Sequence, residues 1–210
     1  RGTVVPADYT GRADHVTDPS IDTRKFNKPG LTLLGSSQLK FLNSWSQDWQ
    51  GADMKCVLTQ SVFANVATHH GPGAMKGEGF LVADFDSNGW PQSGRDRALR
   101  EIRRGFAFTI GGDQHLGSIV KHGIDDWNDC GFAFTVPSIA NFYPRAWLPK
   151  TQGQNMIDGM PSYTGEHFDS FKNKLTVWAV NNPGKKTGHY PASIHDRMPG
   201  YGIIRFEKNS

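Results

Sequence analysis

Apolar and polar residues recur along this chain with two different periods. Between residues 36 and 50 the apolar positions fall about once per helical turn, at Leu39, Leu42, Trp45 and Trp49. Since Ser36 or Ser37 can cap the first turn, this spacing predicts an amphipathic helix that ends near Gly51. A second helix is predicted for residues 93–104, with a serine cap at its start and Gly105 after its end.

Short apolar and β-branched runs predict the strands of a sheet. They span residues 55–63, 106–110, 132–137, 175–180 and 201–206, with a shorter run at 21–26. Residues 116–122 are predicted to form one or two turns of helix. Helices alternate with strands in the first part, which indicates an α/β fold with parallel strands. The later strands lack helices between them, which indicates antiparallel pairing near the C-terminus.

Two long segments, residues 64–92 and 138–170, contain many turn-forming and aromatic residues and are predicted to be loops. Loops of this length are uncommon in a compact domain unless they bind or act. Residues 1–30 show no sustained period. We therefore interpret them as a lead-in segment, followed by a main body at residues 31–210.

Composition narrows the class of protein. The 210 residues are 37% hydrophobic, which is enough for one domain with a core. The net charge is only +3 and charges of both signs are mixed, so no nucleic-acid-binding patch is expected. No apolar run approaches the roughly 18 residues that a membrane span needs. Cys56 and Cys130 lack metal-ligand spacing, which leaves two buried thiols or one disulfide.

The sharpest chemical feature is Gly112-Asp113-Gln114-His115, directly after a predicted strand. Ligands of open α/β sheets gather beyond the carboxyl ends of strands. In an extended segment Asp113 and His115 point to one side, and a carboxylate with an imidazole suits iron, zinc or manganese. Asp is also common in ordinary strand-end turns. Gln60 ends the preceding strand, where its amide either contacts a ligand or is held by loop backbone.

Basic and aromatic side chains in the predicted loops add further candidates. Arg145 can hold a phosphate with two parallel hydrogen bonds, or it can pair with a structural carboxylate. His69 and His70 are adjacent, so their side chains diverge; they belong either to a solvated loop or to the rim of a pocket. Trp90 and Trp147 support a weaker hypothesis, a carbohydrate-binding or sugar-processing module.

Motifs spread over residues 21 to 182 fit one family in order and spacing. They include Val57-Leu58-Thr59-Gln60, Thr68-His69-His70-Gly71, Asp84-Phe85-Asp86-Ser87-Asn88-Gly89-Trp90-Pro91, Gly94-Arg95-Asp96-Arg97-Ala98-Leu99, Gly112-Asp113-Gln114-His115-Leu116 and Tyr143-Pro144-Arg145. Together they resemble PhoD-like metallophosphoesterases, described as alkaline phosphatase D or phosphodiesterase D, in the calcineurin-like superfamily.

The resemblance implies a four-layer α/β/β/α sandwich with iron, calcium, zinc or manganese ions at strand ends. It implies metal ligation by Asp113, His115 and Gln60, the last in place of a histidine. It implies substrate binding by Arg145, His69, His70 and Asn88. The implied activity is metal-assisted hydrolysis of phosphate monoesters or diesters, in an exported or periplasmic protein.

The upstream motifs of the family are a first Asp-containing strand end, a Gly-Asp motif and an Asn/Asp-Asp-His loop, and none of them is found. Asp14-His15 shares two residues with the last, but its surroundings do not fit. Two or three ligands do not make a two-metal site. We therefore expect the C-terminal half of such a domain, active only with an upstream half or an oligomer partner. The alternative is a degenerate, non-catalytic domain kept for binding or assembly.

Overall fold

The computed structural model of this chain describes residues 14–71, 73–74, 77–139, 143–183 and 199–207. These residues form helices α1 (Ser36–Gln47) and α2 (Gln92–Arg104) and a 3-10 helix at Thr23–Phe26. The strands are β1 (His15–Val16), β2 (Cys56–Ser61), β3 (His69–His70), β4 (Ala83–Asp84), β5 (Phe108–Gly112), β6 (Gly117–His122), β7 (Phe132–Thr135), β8 (Arg145–Ala146), β9 (Gly165–Phe168) and β10 (Lys174–Asn181). None of the described helices is long and apolar enough to cross a membrane.

One six-stranded mixed sheet forms the centre of the fold, in the order β2-β5-β7-β6-β10-β9. Strands β2, β5 and β7 are parallel to one another. The pairs β7–β6, β6–β10 and β10–β9 are antiparallel. Helix α2 makes the crossover that a parallel β2–β5 pair requires. The predicted α/β fold, with antiparallel strands toward the C-terminus, is confirmed at this level.

Two small ribbons lie outside the main sheet. β1 pairs with β4, which sets His15 opposite Asp84. β3 pairs with β8, which sets His70 opposite Arg145. The segments predicted as loops therefore contain β3, β4 and β8, because two-residue strands are too short to show an apolar period. The second segment also contains β9, whose four residues include only one large apolar side chain, that of Phe168.

The helices cover one face of the sheet. Helix α2 buries Ala98, Leu99 and Ile102 in a cluster with Phe63, and Leu42 of α1 packs against it. Arg95 also faces inward and is only 1% exposed, because it donates hydrogen bonds to the carbonyls of Phe63 and Gly123.

The other face of the sheet, here called the open sheet face, is apolar and uncovered over much of its area by the described residues. A cross-strand row runs through Leu58, Ile110, Phe134 and Ile119. Leu58 is 79% exposed. Residues 199–207 cross part of this face, with Phe206 5.6 Å from Phe108 between ring centroids. They form no strand, so the predicted strand at 201–206 is wrong.

Other local predictions fail for identifiable reasons. Residues 117–122 form strand β6 rather than a helix, because burial alternates with a period of two and the strand pairs on both sides. The run at 21–26 begins a 3-10 helix, since the Asp22 side chain accepts from the backbone N–H of Arg24. Gly35 and Pro91 occupy the N-cap positions where serines are predicted. Residues 1–13 of the predicted lead-in segment lie outside the described residues.

The cysteines remain as thiols. Cys130 is buried in the cluster under α2, and Cys56 is half-buried on the edge strand β2. Burial raises the pKa of both thiols, so neither is an activated nucleophile. Of the two readings of the sequence, the structure has the one without a disulfide.

We predict that His122 makes the stability of the fold pH-dependent. Complete burial, with the nearby charge of Arg95, lowers the pKa of His122 well below its ordinary value of 6.5. The folded protein thus keeps His122 neutral while the unfolded chain takes up its proton, so stability is lost as pH falls below about 6.5. Guanidinium denaturation from pH 8 to pH 5 should show a shallower decline for His122→Phe than for the native chain.

The matched control is Val120→Ala, which loosens the same strand without removing a titrating group. This variant should be less stable at every pH but keep the native pH dependence. An unchanged slope in His122→Phe would contradict the prediction.

Candidate functional site

A buried carboxylate joins the two ribbons. Asp84 Oδ2 lies 2.6 Å from Nη1 of Arg145 and 3.5 Å from Nε2 of His15. Asp84 Oδ1 accepts the backbone N–H of Asp86 at 3.0 Å. Burial opposes ionisation of Asp84, but the contact with His15 and the charge of Arg145 outweigh it and hold the pKa of Asp84 far below its ordinary value. The carboxylate is therefore ionised.

Asp14 completes a potential metal centre beside this pair. One ligand atom from each of Asp14, His15 and Asp84 lies within 4.8 Å of the other two. His15 is fully buried; its Nε2 faces Asp84 Oδ2 at the long distance of 3.5 Å, and its Nδ1 has no hydrogen-bond partner among the described residues. A buried imidazole without a partner is unfavourable unless a ligand satisfies it. Two carboxylates and one imidazole suit a transition metal ion, so the residues present fit such an ion.

Aromatic and imidazole rings extend the centre toward the end of β5. The His70 ring lies edge-on to His15 at 4.8 Å between centroids. His70 Nδ1 is 2.7 Å from the Tyr143 hydroxyl, and the His115 ring is 5.9 Å from the Tyr143 ring. The structure therefore brings the predicted residues His70, His115 and Arg145 together around His15.

Asp113 belongs to the same group, but not for the reason that the sequence suggests. Asp113 and His115 have left-handed φ angles of 62° and 53°, so they lie in a turn and not in an extended continuation of β5. Burial and the negative charges of Asp86 and Asp84 raise the pKa of Asp113. That effect requires the three carboxylates to share one region of the molecule.

Two further predicted residues, Gln60 and Asn88, lie at the end of strand β2. Gln60 is exposed and precedes Ser61, which pairs in register with Gly112, so it is at the same sheet edge as Asp113. Asn88 donates to Thr59 Oγ1 and to the carbonyl of Ser61, both at 2.9 Å, and so fixes the end of β2.

His69 lies apart from its neighbour. It packs its ring 5.7 Å from that of Phe80 and contacts Thr68 Oγ1 at 2.9 Å. Because successive residues of a strand point to opposite faces, its side chain is on the other side of β3 from His70. Of the adjacent pair, His70 is thus the histidine that reaches the candidate metal centre.

Sequence reasoning misses His15 and Asp84 as a pair. Their signals are present, since Asp14-His15 shares two residues with a family motif and Asp84 begins the motif that continues through Asn88. Only the pairing of β1 with β4 joins them, and nothing local predicts it. Trp90 and Trp147 are 3% and 2% exposed, so neither offers a ring face to a sugar.

Comparisons with known proteins add little to this geometry. No protein-family model matches the sequence, and no curated protein matches it. A solved structure of PhoD is similar over 57% of this chain and 22% of its own length, with 22% sequence identity and a TM-score of 0.39. This chain thus spans about a fifth of that protein. At this level the similarity carries no inference about activity.

We predict that the Asp84–Arg145 pair is important for stability. Asp84→Asn keeps the shape of the side chain but leaves a buried guanidinium without a counter-charge, so it should destabilise the fold by about 3–5 kcal/mol. Chemical denaturation measures this. Asp125→Asn, which removes the exposed pair with Arg100, is the control and should change stability little. Equal effects of the two substitutions would show that Arg145 is solvated.

Proposed function

We propose that this chain provides part of the metal- and phosphate-binding site of a PhoD-like hydrolase of phosphate monoesters or diesters. The observation that supports it most is the meeting of Asp14, His15 and Asp84 within 4.8 Å, next to the buried Arg145. Asp113 and His115, together with Gln60, are proposed as additional ligands from the end of the neighbouring strands.

The charge balance of the region favours a bound cation. Four carboxylates, those of Asp14, Asp84, Asp86 and Asp113, lie in this region, and one guanidinium, that of Arg145, is paired with Asp84. Like charges in a partly buried site repel one another, and a cation among them reduces that repulsion. A divalent or trivalent ion held there supplies Lewis-acid polarisation of a phosphoryl group.

Arg145 is suited to hold the substrate. Its Nη1 is used by Asp84, but its Nε is buried and has no hydrogen-bond partner among the described residues. A phosphate oxygen placed at Nε satisfies that donor and adds a charge-assisted hydrogen bond. The pair of His70 and Tyr143, joined at 2.7 Å, can hold a proton next to that phosphate.

The open sheet face supports the second part of the proposal, a four-layer α/β/β/α sandwich. Parallel strands are normally buried on both faces, yet here the helices cover only one. We propose that a second sheet from an upstream half or a partner covers the open sheet face and contributes the remaining metal ligands. Phe132 and Trp178, 41% and 37% exposed on that face, would be buried by it.

One observation favours a second candidate function, a non-catalytic domain. The Oδ2 and Oδ1 atoms of Asp84 are already engaged by Arg145 and by the backbone N–H of Asp86. A cluster satisfied in this way can be purely structural and keep a degenerate phosphoesterase-like fold for assembly. A measurement of metal binding distinguishes the metal-dependent hydrolase site from a purely structural cluster.

We predict that chelator-treated protein binds Mn²⁺ or Zn²⁺ through His15. Calorimetric titration should show saturable binding that His15→Gln weakens at least tenfold, since an imidazole ligand is removed. His69→Gln is the matched control because His69 points away from the centre, and its affinity should equal that of the native chain. Absence of binding, or equal loss in both variants, would favour the structural cluster.

We also predict little or no hydrolysis of an aryl phosphate ester by this chain alone, with added iron, manganese, zinc or calcium. Two ions about 3.5–4 Å apart need several ligands each, and among the described residues only the ligand atoms of Asp14, His15 and Asp84 lie within 4.8 Å of one another. A form that carries the upstream half should be active, and Arg145→Ala in that form should lower kcat/KM.

Sedimentation should show self-association of the isolated chain through the open sheet face.

Brisk metal-dependent turnover by a monomer of these residues would contradict this prediction. It would show that the described carboxylates and imidazoles suffice for the chemistry without a second half.

A further inference from the structure

The described residues nearest the C-terminus lie across the open sheet face as an extended chain, and residues 200–206 are here called the crossing segment. The segment begins just beyond the end of β7, where Gly200 lies against Pro137. It reaches the start of β5, where the rings of Phe206 and Phe108 are 5.6 Å apart between centroids. It therefore crosses β7 and β5 in the direction opposite to both strands.

Alternate residues of the crossing segment face the sheet. Gly202 lies against the ring of Phe134, and Ile204 is half-buried. Tyr201 and Ile203 are 81% and 72% exposed, so their side chains point away from the sheet. A period of two is that of an extended chain. The segment thus lies flat on the open sheet face, as a strand of a second layer does, although it pairs with no strand among the described residues.

The crossing segment shields the part of the sheet that it crosses. The apolar side chains of Phe108, Ile110 and Phe134, on β5 and β7, are half-buried. Leu58 of the edge strand β2 is 79% exposed, and Phe132 at the start of β7 is 41% exposed. The open sheet face is therefore best protected from water along the path of the segment.

Van der Waals contact alone holds the crossing segment on the sheet. No backbone hydrogen bond joins residues 199–207 to another described residue. The contact at Gly202 leaves no room for a side chain, since a Cβ there would lie 2.1 Å from Cε1 of Phe134 and 2.9 Å from Cγ1 of Val136. A covering of this kind can be replaced by one that offers more apolar contact or pairs its own backbone groups.

We propose that the crossing segment is a displaceable cover of the open sheet face. It shields β5 and β7 while the chain is alone, and it leaves them when a second sheet binds. Because the segment occupies the place of one strand of that sheet, both cannot lie there at once. The inference rests on the proposed function in one respect, namely that a second sheet docks on this face.

Two glycines of the crossing segment provide a matched pair of variants of the full chain. Gly202→Ala drives a methyl group into the Phe134 ring and should displace the segment, whereas Gly200→Ala meets nothing closer than Pro137 Cγ at 3.5 Å and should leave it in place. The fluorescence of anilinonaphthalene sulfonate, a dye that binds exposed apolar surface, should rise about twofold in Gly202→Ala and stay native in Gly200→Ala. Sedimentation should show self-association of Gly202→Ala at concentrations about tenfold lower.

Phe206→Ala is a second test of the cover. This substitution removes apolar surface but also removes the contact with Phe108, so the dye fluorescence should again rise. If circular dichroism shows that Gly202→Ala is unfolded, Phe206→Ala decides the outcome, since a side chain that is 55% exposed can be removed without loss of the core.

Two results would overturn the proposal. One is equal dye fluorescence in Gly202→Ala and Gly200→Ala. The other is weaker self-association of Phe206→Ala, because the crossing segment would then be part of the interface and not its cover. All measurements are made without metal, so they do not depend on the candidate metal centre. A rise in dye fluorescence without self-association would support the cover and contradict the second sheet proposed for this face.

Discussion

The buried ion pair between Asp84 and Arg145 determines how the candidate site is assembled. It links β4 to β8, and through them the ribbon that carries His15 to the ribbon that carries His70. Each ribbon is only two residues long on each strand, so its own hydrogen bonds are too few to fix its position. The charge pair, shielded from water, supplies the missing constraint. The geometry of the candidate site and the position of both ribbons therefore depend on the same contact.

The sheet imposes the second constraint. Its parallel strands β2, β5 and β7 end at one edge, and this edge receives Gln60 and the turn that carries Asp113. The helices stabilise that arrangement from one side through Arg95, whose guanidinium ties α2 to the carbonyls of two loops. The opposite side has no comparable support in the described residues. The geometry of the site is thus better fixed at its helical side than at the open sheet face.

The parts of the fold that can be predicted from the sequence are the long, strongly apolar elements. Strands β2, β5, β7 and β10 follow from such runs, and the parallel arrangement of β2 and β5 follows from the helix α2 between them. Strand β6 is not predicted from the sequence because Gly117, Ser118 and Lys121 interrupt the apolar pattern. Its pairing with two neighbouring strands makes it a strand.

The candidate site likewise contains residues that the sequence predicts and contacts that it does not. Asp113 and His115 are visible in a local motif, while the contact of His15 with Asp84 depends on a pairing between residues 69 positions apart in the chain. Arg145 is visible as a candidate, but its partner is not. The sequence leaves open whether it holds a phosphate or a carboxylate. The structure shows that the Asp84 carboxylate engages Nη1 and that the buried Nε has no hydrogen-bond partner among the described residues.

The left-handed turn after β5 has a consequence for how this protein can change. A residue with a side chain is less stable in that conformation than glycine, by up to about 1–2 kcal/mol. Asp113 and His115 both adopt it. Glycine at either position would relax the backbone but would also remove a side chain that is a candidate metal ligand. Selection for stability alone would therefore favour glycine in this turn. The two side chains persist there only where they contribute something other than stability.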